Sequence, residues 1–252
     1  MIRLVSVVAA VMTVALTAKA LRAATPSYIA QSVANSQRLE ADTQRDADRK
    51  PEALIAFSGM KPGWKVADFI PGTGYFDRIF AGVVGPTGHV YSFYPSEVAN
   101  FRKDAQLPPD GTNPFLGAAN DTAIVRSVNA FAVPEPLDLV WLSDNYHDLH
   151  DPFFAPADLT VINKAVFKAL KPGGLYLVID HAAAPGSGFA DTNTLHRIDE
   201  KALIAEVEAS GFQLSGESKV LRNPADDHTK RIFDPAIRGH TDQFVLRFKK
   251  PA

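Results

Sequence analysis

Val66-Ala67-Asp68-Phe69-Ile70-Pro71-Gly72-Thr73-Gly74-Tyr75-Phe76 decides how this chain is read. A short apolar run ends at a turn with two glycines one residue apart. Beyond it, Phe76, Ile79, Phe80 and Val83 recur at helical spacing. The pattern predicts strand, tight loop, helix. Glycine lets a loop turn sharply and lets a ligand come close to its backbone. The N–H groups that open the following helix then face whatever binds there. The stretch is expected to floor a nucleotide-like pocket.

The glycine spacing narrows the choice. A dinucleotide fingerprint needs G-x-G-x-x-G, its third glycine permitting close helix–strand packing. Here Asp77 stands in that place, which disfavours a nicotinamide oxidoreductase, and no G-K-[ST] of a P-loop occurs. What remains is Asp68 ahead of G-x-G. This resembles motif I of the class I S-adenosylmethionine (SAM)-dependent methyltransferases, with Ile70 in place of the motif's usual first glycine. The resemblance implies that Gly72, Thr73 and Gly74 lie against the methionine part of SAM. It also implies that Asp68 helps to hold the cofactor's amino group.

The 252 residues suggest one sizeable domain with extras, and 46% hydrophobic content supplies a core. A formal net charge of −2 gives no general attraction to nucleic acid or membranes. The lack of cysteine excludes disulfides, thiolate metal sites and a thiol nucleophile. At the N-terminus, Arg3 precedes an uncharged, mainly apolar stretch from Leu4 to Ala18, and Ala18-Lys19-Ala20 fits a small-x-small cleavage site. Residues 1–20 are therefore expected to be a signal peptide, with Ala24 a second end point. The stretch is short for a membrane span, which takes about 20 residues. The expected mature protein is periplasmic or secreted, without stable membrane insertion.

Residues 21–60 are expected to form a helical extension and 61–252 the main domain. Arg45-Asp46-Ala47-Asp48-Arg49-Lys50 reads as a solvated helix face. Strands are expected at Trp64–Ile70, His89–Tyr94, Thr122–Val128, Pro136–Leu142, Leu175–Ile179, Phe212–Leu221 and Gln243–Phe248, with helices between the earlier ones. That alternation gives an α/β fold with a mainly parallel sheet and one antiparallel end strand. It matches the seven-stranded, Rossmann-like fold of the class I methyltransferases, with helices on both faces. Leu170-Lys171-Pro172-Gly173-Gly174 before a strand is similar to a phrase frequent in that superfamily.

Ligands in open α/β sheets bind beyond the carboxyl ends of the strands. That rim collects Asp68, Gly72, Gly74, Tyr94, Asn129, Asp144, Tyr146, His147 and Asp180-His181. The resemblance puts Tyr94 where the family carries the acid that accepts both ribose hydroxyls, with Glu97 a nearby substitute. It puts Asn129 where an acid meets the adenine amino group. Asn145-Tyr146-His147-Asp148, with Asp180-His181, His196-Arg197 and Asp226-His228, resembles a group of exported methyltransferases over nearly the whole mature chain.

A neutral acceptor must lose a proton during methyl transfer, and histidine titrates in the useful range. His147 or His181 is the expected base, with Tyr146 orienting a small-molecule acceptor. His147-Asp148-Leu149-His150-Asp151 invites a metal, but the spacing matches no known ligand pattern and H-E-x-x-H is absent, so none is expected. The alternative is an exported, non-catalytic binding protein that keeps the fold, as Ile70 and Tyr94 at motif positions suggest.

Overall fold

The computed structural model describes residues 25–101, 106–112, 119–155 and 157–252. The expected signal peptide and parts of the loop between Pro95 and Asp121 lie outside the described residues, as does Pro156.

In chain order the helices are α1 (Ser27–Val33), α2 (Glu40–Thr43), α3 (Asp46–Arg49), α4 (Pro51–Ser58), α5 (Tyr75–Val84), α6 (Val98–Phe101), α7 (Leu159–Ala169), α8 (Thr192–Leu195) and α9 (Glu200–Glu208). The strands are β1 (Lys65–Phe69), β2 (His89–Pro95), β3 (Asp121–Arg126), β4 (Leu137–Ser143), β5 (Leu170–His181), β6 (Gln213–Ser218) and β7 (Gln243–Lys249). The sheet runs β3-β2-β1-β4-β5-β7-β6. The first five strands pair in parallel, and β7 is antiparallel to both of its neighbours. The antiparallel strand is thus last in the chain but sits one place in from the edge. β6, the true edge, runs parallel to the first five, so the segment after it reaches the same rim as their loops.

The central strands are buried on both faces, which is why they read as near-continuous apolar runs, whereas the edge strand β6 is largely exposed. Alternate residues still go to opposite sides. Val66, Leu139, Trp141, Leu177 and Ile179 join one core with Phe76, Ile79, Phe80 and Val83 of α5. Ala67, Val140, Leu142, Tyr176 and Val178 join the other with Ile162 and Val166 of α7 and Leu203 and Val207 of α9. Asp158 caps α7, its side chain accepting from the backbone N–H of Thr160 and Val161.

The N-terminal extension is four short helices. Polar ties pin it across α5. Arg38 donates to both oxygens of Asp46 at 2.7 Å, the Tyr75 hydroxyl donates to Asp46 at 2.6 Å, and Arg78 donates to Asp42 at 2.7 Å.

Candidate active site

Beyond the carboxyl ends of β1, β2, β4 and β5 lies a cavity of about 1270 Å³. Its floor is the glycine turn that the sequence picked out, with Ile70, Gly72 and Thr73 on the wall. The turn is tight because three residues take left-handed backbone: Ile70 (φ +66°), Gly72 (φ +60°) and Gly74 (φ +78°). A Cβ added to Gly72 would meet nothing within 4 Å, so open space lies against this backbone. Gly74 occupies the N-cap of α5. A tight turn with approachable backbone is therefore present, although Ile70 holds a conformation that suits glycine.

Asp68 is fully buried beneath the turn and not on the cavity wall. It belongs to a cluster of acids on the α5 side of the sheet. The hydroxyl of Ser92 lies 2.6 Å from Asp77 and 2.8 Å from Asp121. It has one hydrogen to give, so at least one of those two acids is protonated. Burial pushes Asp68 up to about 7, against the opposing hydrogen bond from Asp77. Burial and the charge of Asp77 push Asp121 up to about 8. Asp77, which replaces a packing glycine, is thus a buried member of this cluster.

Tyr94 lines the cavity at the end of β2. Burial and the charges of Asp77, Asp121 and Asp68 keep its phenol protonated. It can give one hydrogen bond to a ribose oxygen but cannot accept two hydroxyls as a carboxylate does. Glu97 is not the substitute. Its carboxylate accepts from the Ser127 hydroxyl at 2.7 Å and the Val128 N–H at 3.0 Å, facing away from the cavity. The side-chain oxygen of Asn129 accepts from the Asp158 N–H at 2.8 Å, which ties it to the start of α7, and Asn129 is not on the wall.

Asp144, in left-handed backbone at φ +61°, does line the cavity. Its carboxylate accepts from Gln243 at 2.6 Å and from Arg49 at 3.2 Å. Arg49 is also stacked 4.7 Å from the centre of the Tyr75 ring. Arg45, Asp48 and Arg49 all line the cavity, so the string expected to be a solvated face is a wall of the site. Nothing in local periodicity signals this, because the contact spans 95 residues.

The histidines meet at the far wall. Asp180 is buried, accepting from the His147 backbone N–H at 2.8 Å and lying 2.7 Å from its Nδ1. The other ring nitrogen, Nε2, lies 3.1 Å from Asp148. Burial opposes a charge on this ring, but the two carboxylates prevail and hold His147 well above the usual histidine range. His147 therefore offers the cavity a clamped imidazolium rather than a ready base. His181 is the opposite case. Burial lowers its proton affinity, against the pull of Asp144 and Asp180. Its Nδ1 meets the Thr241 hydroxyl at 2.7 Å, and its Nε2 lies 4.0 Å from Asp144 on the cavity wall.

Tyr146 does not reach the cavity, which corrects its expected role. Its ring is fully buried, its hydroxyl donates to Glu206 at 2.8 Å, and Asn163 donates to it at 2.8 Å. Residues from the segment after β6, including Arg231, Phe233, Thr241 and Gln243, close the remaining wall. The buried Arg197 anchors that segment by donating to Asp226 and to the carbonyls of Ala182 and Lys230. Sequence reasoning reached His228 here but not Arg231 or Phe233. His228 lies 3.1 Å from Asp242, behind the wall.

No protein-family model matches the chain. Over 202 residues it is 31% identical to the ubiquinone/menaquinone biosynthesis C-methyltransferase UbiE of Ectopseudomonas mendocina, covering 77% of this chain and 65% of that protein. The chain thus spans just under two thirds of that relative's length. The UbiE protein of Vibrio cholerae is 26% identical over 203 residues, covering 76% of this chain and 70% of its own. Among solved structures, a SAM-dependent methyltransferase from Aquifex aeolicus superposes with a TM-score of 0.56 at 17% identity, covering 83% of this chain and 95% of that one. A Burkholderia thailandensis 1,6-didemethyltoxoflavin-N1-methyltransferase, solved with S-adenosylhomocysteine, gives 0.52 at 16% identity, covering 84% and 82%. The binding-only alternative finds no support among these proteins. The chain shares its fold with these SAM-dependent methyltransferase structures and is similar in sequence to UbiE proteins over about three quarters of its own length.

Proposed function

We propose that this protein is a SAM-dependent methyltransferase acting on a small-molecule acceptor. The observation that carries it is the cavity itself. It lies over a glycine turn open to close backbone approach, and a neutral imidazole stands on its wall. Its volume of about 1270 Å³ exceeds the roughly 300–1,000 Å³ of a pocket for one drug-sized ligand, which leaves room for cofactor and acceptor together.

Bound SAM supplies an activated methyl group on a sulfonium. The backbone from Gly72 to Gly74 would hold its methionine end, Arg49 its carboxylate, Asp144 its ammonium, and Tyr94 its ribose. The acceptor would occupy the part of the cavity lined by Phe101, Phe153 and Phe233, which suits a planar or apolar body. His181 takes the acceptor's proton at Nε2. Thr241 holds the ring through Nδ1, and Asp144 stabilises the imidazolium that forms. The UbiE relatives are named as C-methyltransferases of quinone biosynthesis; the aromatic part of the cavity is compatible with a ring acceptor of that general kind. We also propose that residues 1–20 direct export of the mature chain.

Calorimetric titration tests the reading. Micromolar binding of both SAM and S-adenosylhomocysteine is expected. Once an acceptor is in hand, His181→Asn should cut turnover by about 10²–10⁴-fold while leaving SAM affinity within about twofold. Absence of heat with either compound would refute the assignment.

A further inference from the structure

We propose that His147, Asp148 and His196 form a site for a divalent transition cation, of which zinc is the type, on the wall of this cavity. One ligand atom from each lies within 4.8 Å of the others. Asp148 Oδ1 is 3.1 Å from His147 Nε2 and 3.2 Å from His196 Nδ1. Ligands about 2.0–2.1 Å from a tetrahedral zinc are separated by roughly 3.3 Å, so the two edges that meet at Asp148 fit with little movement. Two imidazoles and a carboxylate, with one position open to the cavity, are a donor set that zinc accepts in catalytic sites.

Two further observations point to a cation. First, a ligating histidine commonly gives its other ring N–H to a carboxylate, which fixes tautomer and orientation. Asp180 stands 2.7 Å from Nδ1 of His147 and also binds its backbone N–H, leaving Nε2 aimed at Asp148. Second, Asp151 is only 3% exposed, the Thr192 side chain is its one hydrogen-bonding side-chain neighbour, and it forms no ion pair among the described residues. A buried carboxylate is costly to leave without an opposite charge. Asp151 interacts electrostatically with Asp148, His147 and His196, so a cation placed among them would offset its charge.

The structure also shows what competes. Arg231 donates to Nε2 of His196 at 2.9 Å, so the ring's hydrogen sits on Nδ1 and points at Asp148. A metal takes the place of that hydrogen and of the one on Nε2 of His147, and both protons are released. The His196 ring takes one up again on Nε2, where a guanidinium cannot accept it, and Arg231 must turn away. Arg231 therefore opposes the metal, and Arg231→Gln, whose amide oxygen can accept from Nε2, favours it. His150, adjacent in sequence, takes no part. It stacks on Phe189 at 4.1 Å and meets Glu206 at 3.1 Å.

The site's use in the reaction rests on the methyltransferase reading; its existence does not. A cation there would hold an acceptor oxygen at its open position and lower that oxygen's proton affinity. The test strips the purified protein with chelator and titrates it with Co²⁺ alone, reading visible absorption, then displaces Co²⁺ with Zn²⁺. One equivalent per chain is expected. Affinity should fall at least tenfold in His196→Gln, stay within twofold in His150→Gln, and rise at least threefold in Arg231→Gln. No stoichiometric binding in either the wild type or Arg231→Gln would overturn the proposal, as would unchanged affinity in His196→Gln. SAM titration of the same stripped samples separates the two readings. Cobalt binding without SAM binding removes the methyltransferase reading alone, and SAM binding without cobalt removes the metal alone.

Discussion

Ile70 offers a direct measure of what the glycine turn demands. A β-branched residue at φ +66° pushes its Cβ against the neighbouring carbonyl, at a cost of about 1–2 kcal/mol. The residue persists because its side chain packs on the core below the turn and its N–H donates to Phe93 at 2.9 Å. Two truncations separate these effects. Ile70→Ala removes the packing and keeps the strain. Ile70→Gly removes the same packing and the strain, but adds about 0.5–1 kcal/mol of chain entropy to the unfolded state. The difference leaves the glycine variant more stable than the alanine variant by about 0.5–1 kcal/mol. At an unstrained position the order reverses by a similar amount. The two possibilities thus stand about 1–2 kcal/mol apart, well within the resolution of urea denaturation followed by tryptophan fluorescence. An alanine variant as stable as the glycine variant, or more so, would refute strain at this residue.

Four further outcomes are expected. Asp68 and Asp121, held at about 7 and 8 against an ordinary value of about 3.9, bind more protons folded than unfolded. Their contribution is fully present below the unfolded value and is lost as pH rises through 7 and 8; Asp121→Asn should flatten this fall in thermal melts by up to about 1.4 kcal/mol per pH unit, and an unchanged slope would count against the cluster. Tyr146→Phe should cost about 1–3 kcal/mol by stranding Asn163 and Glu206 while turnover holds within twofold, because the hydroxyl faces the core; a large loss of turnover at unchanged stability would restore an acceptor-orienting role. Arg49→Ala should weaken SAM binding about tenfold by calorimetry, equivalent to about 1.4 kcal/mol, and equal affinity would detach the extension from the cofactor site. Fractionation and mass spectrometry should find the protein in the periplasm as a chain beginning after Ala20 or Ala24, whereas recovery in the cytosol alone with an intact Met1 would refute export.

The fold was legible because its signals are local. The apolar runs of β1, β2 and β4, the periodic stripe of α7 and the glycine turn each declare themselves within about ten residues, since backbone pairing and helix packing repeat at fixed periods. Even the anomaly at Ile70 could be located by its place in the motif. The site was legible only as a rim. Gly72, Thr73, Tyr94, Asp144, His147 and His181 do line the cavity, because strand ends place them there.

What a side chain faces once on the rim is settled elsewhere. Tyr146 and His147 are neighbours, yet one turns into the core toward Glu206 and the other lies between two carboxylates on the cavity wall. Arg49 and Arg231 reach the cavity from the two ends of the chain, and His196 meets Asp148 across 48 residues. The order of residues by itself determined the α/β class, the seven strands and the position of the glycine cradle, because those follow from periodicity and turn chemistry. Which acids share protons, which histidine is charged and which neutral, and which cations close the pocket were decided only by tertiary structure. Those properties depend on burial and on distances between groups far apart in the chain, which no local pattern encodes.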